Sequence, residues 1–195
     1  MAEAAVSDEH LADALGEVTI FTAGGEQVKV KDLWDQQEGV AVVALLRHFG
    51  CFCSWELALA LKEVKEKLDS WGVKVVAVGV GTPDKAKLLA HGLPFPMDSL
   101  YADPDRKAYE VLGLHYGLLR TLANPVELSA RLGALKKSTS NYTLKATPNM
   151  SSILQQGGMF VFKGKKVVYA RKDERTGDHA PLDDVINVCS KVAAA

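Results

Sequence analysis

No run of this 195-residue chain approaches the ~20 consecutive apolar residues that a bilayer-spanning helix needs, so no membrane span is expected. Neither sign of charge is in excess. The 23 Lys and Arg against 24 Asp and Glu lack the basic surplus of a nucleic-acid binder. Cysteine is scarce: of three, two are separated by a single residue, which excludes an extracellular disulfide framework and fits a reducing compartment. The histidines at 10, 48, 91, 115 and 179 follow no metal-ligand spacing, and Cys51 with Cys53 supply half of a four-cysteine set. No metal site and no cofactor are expected. A full G-x-G-x-x-G is missing, because Asp84 stands where the last glycine would be, so Gly79-Val80-Gly81 reads as a tight strand-to-helix turn. Residues 1–16 are acidic and Ala-rich, with neither a basic n-region nor an apolar h-region. They are no secretory signal and read as a flexible tail.

What is present is one domain's worth of alternating strand and helix signals, over residues 17–195. Glu17 to Phe21 and Gln27 to Val30 alternate about Ala23-Gly24-Gly25-Glu26, predicting an N-terminal hairpin. A short helix is predicted over Lys31 to Gln36. Val40 to Leu46 is wholly apolar and β-branched, the pattern of a buried strand. Leu57, Leu61, Val64 and Leu68 then mark one stripe of an amphipathic helix beginning near Ser54 and ended by Gly72. Val73 to Val80 is a second buried strand, Asp84 to His91 a helix, Ser99 to Ala102 a third strand, and Asp105 to Leu112 a short helix. Residues 114–156 are irregular, with helix between Val126 and Lys136, and are read as a long insertion. Gly158 to Phe162 and Lys166 to Ala170 form a closing hairpin, followed by a helix from Pro181 to Val192 with Cys189 on its apolar face. Buried strands joined by a crossover helix predict a parallel pair, and the closing hairpin adds antiparallel strands. The fold class is α/β: a central mixed sheet flanked by helices in the thioredoxin-like arrangement.

Chemistry concentrates where the first buried strand meets its helix, in Arg47-His48-Phe49-Gly50-Cys51-Phe52-Cys53-Ser54. A cysteine there faces unpaired backbone N–H groups and the positive end of a helix dipole, which favour thiolate over thiol. Arg47 and His48 add positive potential. Cys51 is therefore the expected nucleophile. Cys53 either resolves oxidised Cys51, ligates metal or packs, and its Cys-x-Cys spacing permits only a small strained disulfide ring. Ser54 is a good N-cap residue. Gln155-Gln156-Gly157-Gly158 leads into the closing hairpin, a segment that faces the reactive cysteine in a thioredoxin-like fold, and is either site lining or a plain turn. Asp178-His179 is either an acid–base pair or part of a solvated loop.

Leu46 to Cys51, Trp55 to Ala58, Val76 to Gly79, Leu100 to Pro104, Tyr109 to Gly113 and Leu154 to Gly158 together resemble the peroxiredoxin-like, AhpC/TSA antioxidant-type branch of the thioredoxin superfamily. That branch includes plant plastid thioredoxin-like proteins, the nearest in resemblance, and prostamide/prostaglandin F synthase. The resemblance implies a thiol-dependent oxidoreductase in which the Cys51 thiolate attacks a peroxide, a lipid endoperoxide or a disulfide. Arg47 would stabilise charge, while Ser54, Gln156, Gly157 and Gly158 would border the substrate. It implies a thiol electron donor such as thioredoxin or glutathione, admits a homodimer, and points to the chloroplast stroma, or else the cytoplasm. The family commonly carries Gly-Cys-x-x-Cys, whose second cysteine matches Ser54, and Gly157-Gly158 stand where thioredoxin has its cis-proline. Two other functions fit the same residues: an iron–sulfur or metal module using Cys51 and Cys53, and a non-catalytic interaction domain.

Overall fold

The computed structural model describes residues 8–121, 125–142 and 150–194. It opens with α1 (Asp8–Gly16), where the sequence suggested a flexible tail; residues 1–7 of that tail lie outside the described residues. Leu11, Ala12 and Leu15 make an apolar stripe beneath the acidic composition, and Ala12 and Leu15 are buried against Ile20, Val30 and Trp34. The hairpin β1 (Thr19–Thr22) and β2 (Gln27–Lys29) follows, then a single 3₁₀ turn at Val30–Asp32 in place of the helix expected to Gln36. Trp34 explains that early stop: its indole N–H reaches across the fold to the Gly164 carbonyl at 3.1 Å.

β3 (Val40–His48) is buried along its whole length and continues into α2 (Phe52–Ser70). β4 (Val73–Val80), α3 (Pro83–Gly92), β5 (Leu100–Ala102) and α4 (Lys107–Val111) come next. The stretch expected to be an irregular insertion holds α5 (Leu118–Thr121), the fourteen-residue α6 (Pro125–Ser138) and α7 (Met150–Ile153). Its two ends are stitched together. Tyr116 bridges Gln155, and the Gln156 N–H donates to the His115 carbonyl at 2.9 Å. β6 (Gly158–Lys163), β7 (Lys166–Lys172) and α8 (Leu182–Ala193) complete the chain.

The strands form one mixed sheet in the order β2-β1-β5-β4-β3-β6-β7. β3, β4 and β5 are parallel; β6 and β7 add antiparallel at one side, and β1 with β2 at the other. Because β3 is central, its side chains feed two cores by strict alternation. Val42, Ala44 and Leu46 face Leu57, Leu61, Val185 and Cys189 of α2 and α8. Ala41, Val43 and Leu45 face Leu15 of α1 and Ala108 and Tyr109 of α4. A strand covered on both sides must be apolar throughout, which is the pattern its sequence shows.

Candidate active site

The site begins as an irregularity in the sheet. β3 and β4 pair in register from Val40 with Val73 to Leu45 with Val78, and the register then slips so that His48 lies opposite Val80. A slip of this kind takes a carbonyl out of the ladder and re-aims the residues beyond it. The Tyr109 hydroxyl, from α4, sits between the carbonyls of Leu46 and Val78, 2.9 Å from the latter, and satisfies the displaced group. Beyond the slip, Phe49 turns into the core. Gly79 and Gly81 form its socket: a Cβ on Gly79 would stand 2.3 Å from the Phe49 ring, and one on Gly81 2.9 Å away. This is the structural use of Gly79-Val80-Gly81, the turn expected from the missing nucleotide motif.

Every carbonyl of the turn is then accounted for, as buried backbone requires. His48 accepts from the Cys51 N–H at 2.9 Å, and Phe49 from the Trp55 indole at 2.7 Å. Gly50 accepts from the Tyr142 hydroxyl at 2.9 Å, and Cys51 from the Ser54 and Trp55 N–H groups at 3.0 and 3.3 Å. Trp55 and Tyr142 also meet edge to face, with centroids 5.3 Å apart. Strand end, turn and first helical turn thus act as one rigid bracket around the cysteine.

Cys51 is the N-cap of α2, with extended backbone at φ −76° and ψ 126°. It keeps 6% of its exposure, whereas Cys53 and Cys189 have none. The Arg47 Nη1 lies 3.1 Å from its sulfur. The same guanidinium donates from Nε to the Gln155 carbonyl at 2.9 Å and from Nη2 to the Ile153 carbonyl. Arg47 is buried, and no carboxylate pairs with it among the described residues. A buried cation held only by neutral acceptors favours an anion at its remaining partner, and that partner is the Cys51 sulfur. The Cys51 thiol is accordingly driven well below the usual cysteine range, chiefly by a hydrogen bond from the Cys53 thiol, with Arg47 and His48 adding attraction against the cost of burial. The same bond, together with burial, pushes Cys53 upward, so the pair divides into a thiolate and its donor. His48 is pushed down by burial, and its Nδ1 has no partner among the described residues.

The remaining expected residues take different places. Ser54 is not the cap: it lies in the first turn of α2, fully buried, and its hydroxyl has no partner among the described residues. The Gln155–Gly158 segment is linked to Cys51 through Arg47, whose Nε donates to the Gln155 main-chain carbonyl. Gln156 turns its side chain to Thr121 at 3.0 Å, and Gly157 allows the chain to pass where a Cβ would meet the Leu45 carbonyl at 2.4 Å. Through Gln155 this segment braces the Arg47 anchor. Asp178 and His179 are not a pair either. Asp178 bonds Arg171 at 2.8 Å, while His179 sets Nδ1 3.3 Å from Asp173 and Nε2 3.0 Å from the Cys53 carbonyl.

Sequence reasoning missed Asp173, Tyr142 and Glu56. Asp173 is buried, its carboxyl pushed up by burial and lowered again by His179. Glu56 bonds Arg131 of α6 at 2.7 Å. Glu56 alone carried a usable signal, lying one helical turn beyond Cys53 on α2. The others reach the site from 91 or more positions along the chain.

A family model described as AhpC/TSA antioxidant enzyme matches residues 60–175, beginning downstream of Cys51. The thioredoxin-like protein AAED1, chloroplastic, of Arabidopsis thaliana is 31% identical over 183 residues, covering 91% of this chain and 72% of that protein. Prostamide/prostaglandin F synthase of Bos taurus is 34% identical over 167 residues, covering 83% and 79%. Among solved structures, the bacterioferritin comigratory protein of Xanthomonas campestris, whose alkyl peroxide reduction has been examined structurally, superposes with a TM-score of 0.61 at 13% identity, covering 93% and 94%. A PrxQ variant of Xylella fastidiosa gives 0.63 at 11% identity, covering 92% of each chain. The fold is the peroxiredoxin, thioredoxin-like one.

Proposed function

The chain belongs to the AhpC/TSA antioxidant-enzyme family, and on that footing we propose that it is a thiol peroxidase with Cys51 as its nucleophile. The observation that carries this reading is the Arg47 guanidinium 3.1 Å from the Cys51 sulfur, buried and unmatched by any carboxylate among the described residues. A thiolate is the attacking form, and of the three sulfurs this one has a cationic partner, a helix N-terminus and some exposure together.

The Cys51 sulfur attacks one peroxide oxygen, so that an S–O bond forms as the O–O bond breaks. Sulfur is oxidised by two electrons to a sulfenic acid, and the departing alkoxide or hydroxide leaves as alcohol or water after taking a proton. Arg47 balances charge that moves from sulfur to the leaving oxygen without having to reorient, because Gln155 and Ile153 already hold it. An external thiol then displaces water from the sulfenic acid, and a second thiol releases Cys51 from the mixed disulfide. Thioredoxin and glutathione are donors of the required chemistry.

A hydroperoxide is the proposed substrate class. The prostaglandin-forming name of the bovine relative supports a lipid endoperoxide as a second O–O substrate. Attack there leaves one oxygen as an alkoxide that takes a proton and the other as a sulfenate ester on Cys51. A thiol cleaves that ester to free the diol and form the mixed disulfide. The chloroplastic designation of the Arabidopsis relative supports the plastid stroma as compartment. Hydrogen peroxide and an alkyl hydroperoxide, each supplied with a dithiol, test the proposal. The protein should consume both and trap dimedone on Cys51. Consumption no faster than that of Cys51→Ser would remove the assignment.

A further inference from the structure

Three potential ligand atoms converge beside, but apart from, the Arg47–Cys51 contact. The Cys53 sulfur, a Glu56 carboxylate oxygen and a His179 ring nitrogen all lie within 4.8 Å of one another, and the Cys51 sulfur is not part of this set. We propose that Cys53, Glu56 and His179 form a binding site for a divalent transition cation of the zinc class.

The donor set suits such an ion. Thiolate, imidazole and carboxylate are its ordinary protein ligands, and three of them with water in the fourth position make an open tetrahedral site. Cys53 and Glu56 stand three apart on one face of α2, so the helix fixes their spacing. His179 arrives from the loop before α8 and is oriented by a buried carboxylate: Asp173 lies 3.3 Å from its Nδ1, with its side chain 2% exposed. This is how metal-ligating histidines are usually held, since a proton fixed on Nδ1 directs the Nε2 lone pair to the ion.

A second observation points the same way. Nε2 lies 3.0 Å from the Cys53 carbonyl oxygen. The two ring contacts fix the imidazole plane and hold Nε2 at the start of α2, beside the sulfur and the carboxylate. Bond lengths of about 2.0–2.3 Å put tetrahedral ligand atoms roughly 3.3–3.6 Å apart. The cluster must therefore contract by about 1 Å. Rotation of the partly exposed Glu56 and His179 side chains accomplishes this, with Glu56 Oε1 as ligand and Oε2 left to Arg131.

Titration of the reduced full-length protein with Co²⁺ reads the ligands directly, because thiolate coordination gives a near-ultraviolet charge-transfer band and tetrahedral geometry intense visible bands. The expected result is one saturable equivalent with both features, displaced by Zn²⁺. The thiolate band should vanish in Cys53→Ser and persist in Cys51→Ser and Cys189→Ala. Affinity should fall in Glu56→Gln and His179→Gln, and about 10–100-fold in Asp173→Asn, with circular dichroism confirming that each variant is folded. Retention of full affinity in His179→Gln, or loss of the band in Cys51→Ser, would overturn the site. Absence of any saturable binding would do the same, leaving His179 as a structural clamp between Asp173 and the Cys53 carbonyl. Peroxide turnover is not part of the readout; a cation on the Cys53 sulfur would displace the proton that this sulfur gives to Cys51, so the peroxidase proposal is tested on the metal-free protein.

Discussion

Nη1 of Arg47 stands 3.1 Å from Sγ of Cys51, while Nε of the same side chain is fixed to the Gln155 carbonyl. The arginine spans two parts of the chain more than a hundred residues apart and delivers its charge to one sulfur. A planar fork with several donors can do this; a lysine ammonium on a flexible stem cannot hold all these contacts at once.

Arg47→Gln should therefore raise the Cys51 pKa and slow its reaction with peroxide at neutral pH. A hydrogen bond to a charged group is worth ~1.5–3 kcal/mol, or roughly a 10- to 150-fold loss in rate. Arg47→Lys should recover only part of it. Stopped-flow peroxide reduction gives the rates, and the pH dependence of iodoacetamide alkylation gives the thiol pKa. Unchanged alkylation in Arg47→Gln would mean that Cys53 alone stabilises the thiolate.

Cys51 should be alkylated first as pH is lowered, since its thiol is the one pushed down while Cys53 is pushed up and Cys189 rises to about 11 through burial. Peptide mass mapping after brief labelling at mildly acidic pH gives the order. Cys189→Ala should leave peroxide reactivity unaltered and cost only stability, as expected of a core position on α8. Earlier labelling of Cys53 would reverse the proton assignment within the pair.

His48 gives stability a pH dependence of definite sign. Burial lowers its pKa below 6.5, so the unfolded chain binds the proton more readily than the folded one. The stability it contributes is complete above about pH 6.5 and is lost as pH falls toward the folded-state value. Urea unfolding between pH 7.5 and 5 should show a decline in the parent that is shallower in His48→Gln. Equal slopes would assign the decline to other groups.

Gly79→Ala tests the socket under the turn. Its new methyl would stand 2.3 Å from the Phe49 ring, and overpacking of this kind costs ~1–3 kcal/mol. The variant should melt lower by several degrees and alkylate Cys51 at an altered rate, because Phe49 and Cys51 belong to one bracket. A normal melting temperature would show that Phe49 can leave its socket freely.

The elements most legible in the sequence were those whose physics is local. The β-branched run at Val40 had to be a doubly covered strand, and the Leu57–Leu68 stripe had to be a helix face. Cys51 and Arg47 were legible because four residues at a strand-to-helix junction are enough to bring them together. His179 was not, because its partners Asp173 and Cys53 are chosen by the closing loop packing onto α2, 126 residues from the cysteine in sequence. α1 was misread because charge and alanine content hid the spacing of Leu11, Ala12 and Leu15. Ser54 was misread as a cap because cap preference describes side chains, whereas here the chain beyond the register slip at the end of β3 enters the helix earlier, with Cys51 as the N-cap and Phe52 as the first helical residue.

Ser54 yields two opposite substitutions. Its hydroxyl is buried with no partner among the described residues, inside a helix where alanine is intrinsically better. Ser54→Ala should thus stabilise the protein by about 1 kcal/mol, measured as a higher urea midpoint at constant m-value. Ser54→Cys instead puts a sulfur one turn along from Cys51, at the position of the family's second cysteine. A ring closed across that turn is less strained than one closed between Cys51 and Cys53, whose extended-then-helical backbone separates the two side chains poorly for bonding. After a stoichiometric pulse of hydrogen peroxide, Ser54→Cys should lose two titratable thiols as an intramolecular disulfide. The parent should accumulate a dimedone-reactive sulfenic acid or intermolecular dimers. Rapid formation of a stable Cys51–Cys53 bridge in the parent would show that strain does not prevent Cys53 from resolving the oxidised nucleophile, and the external thiol would then act on that bridge instead.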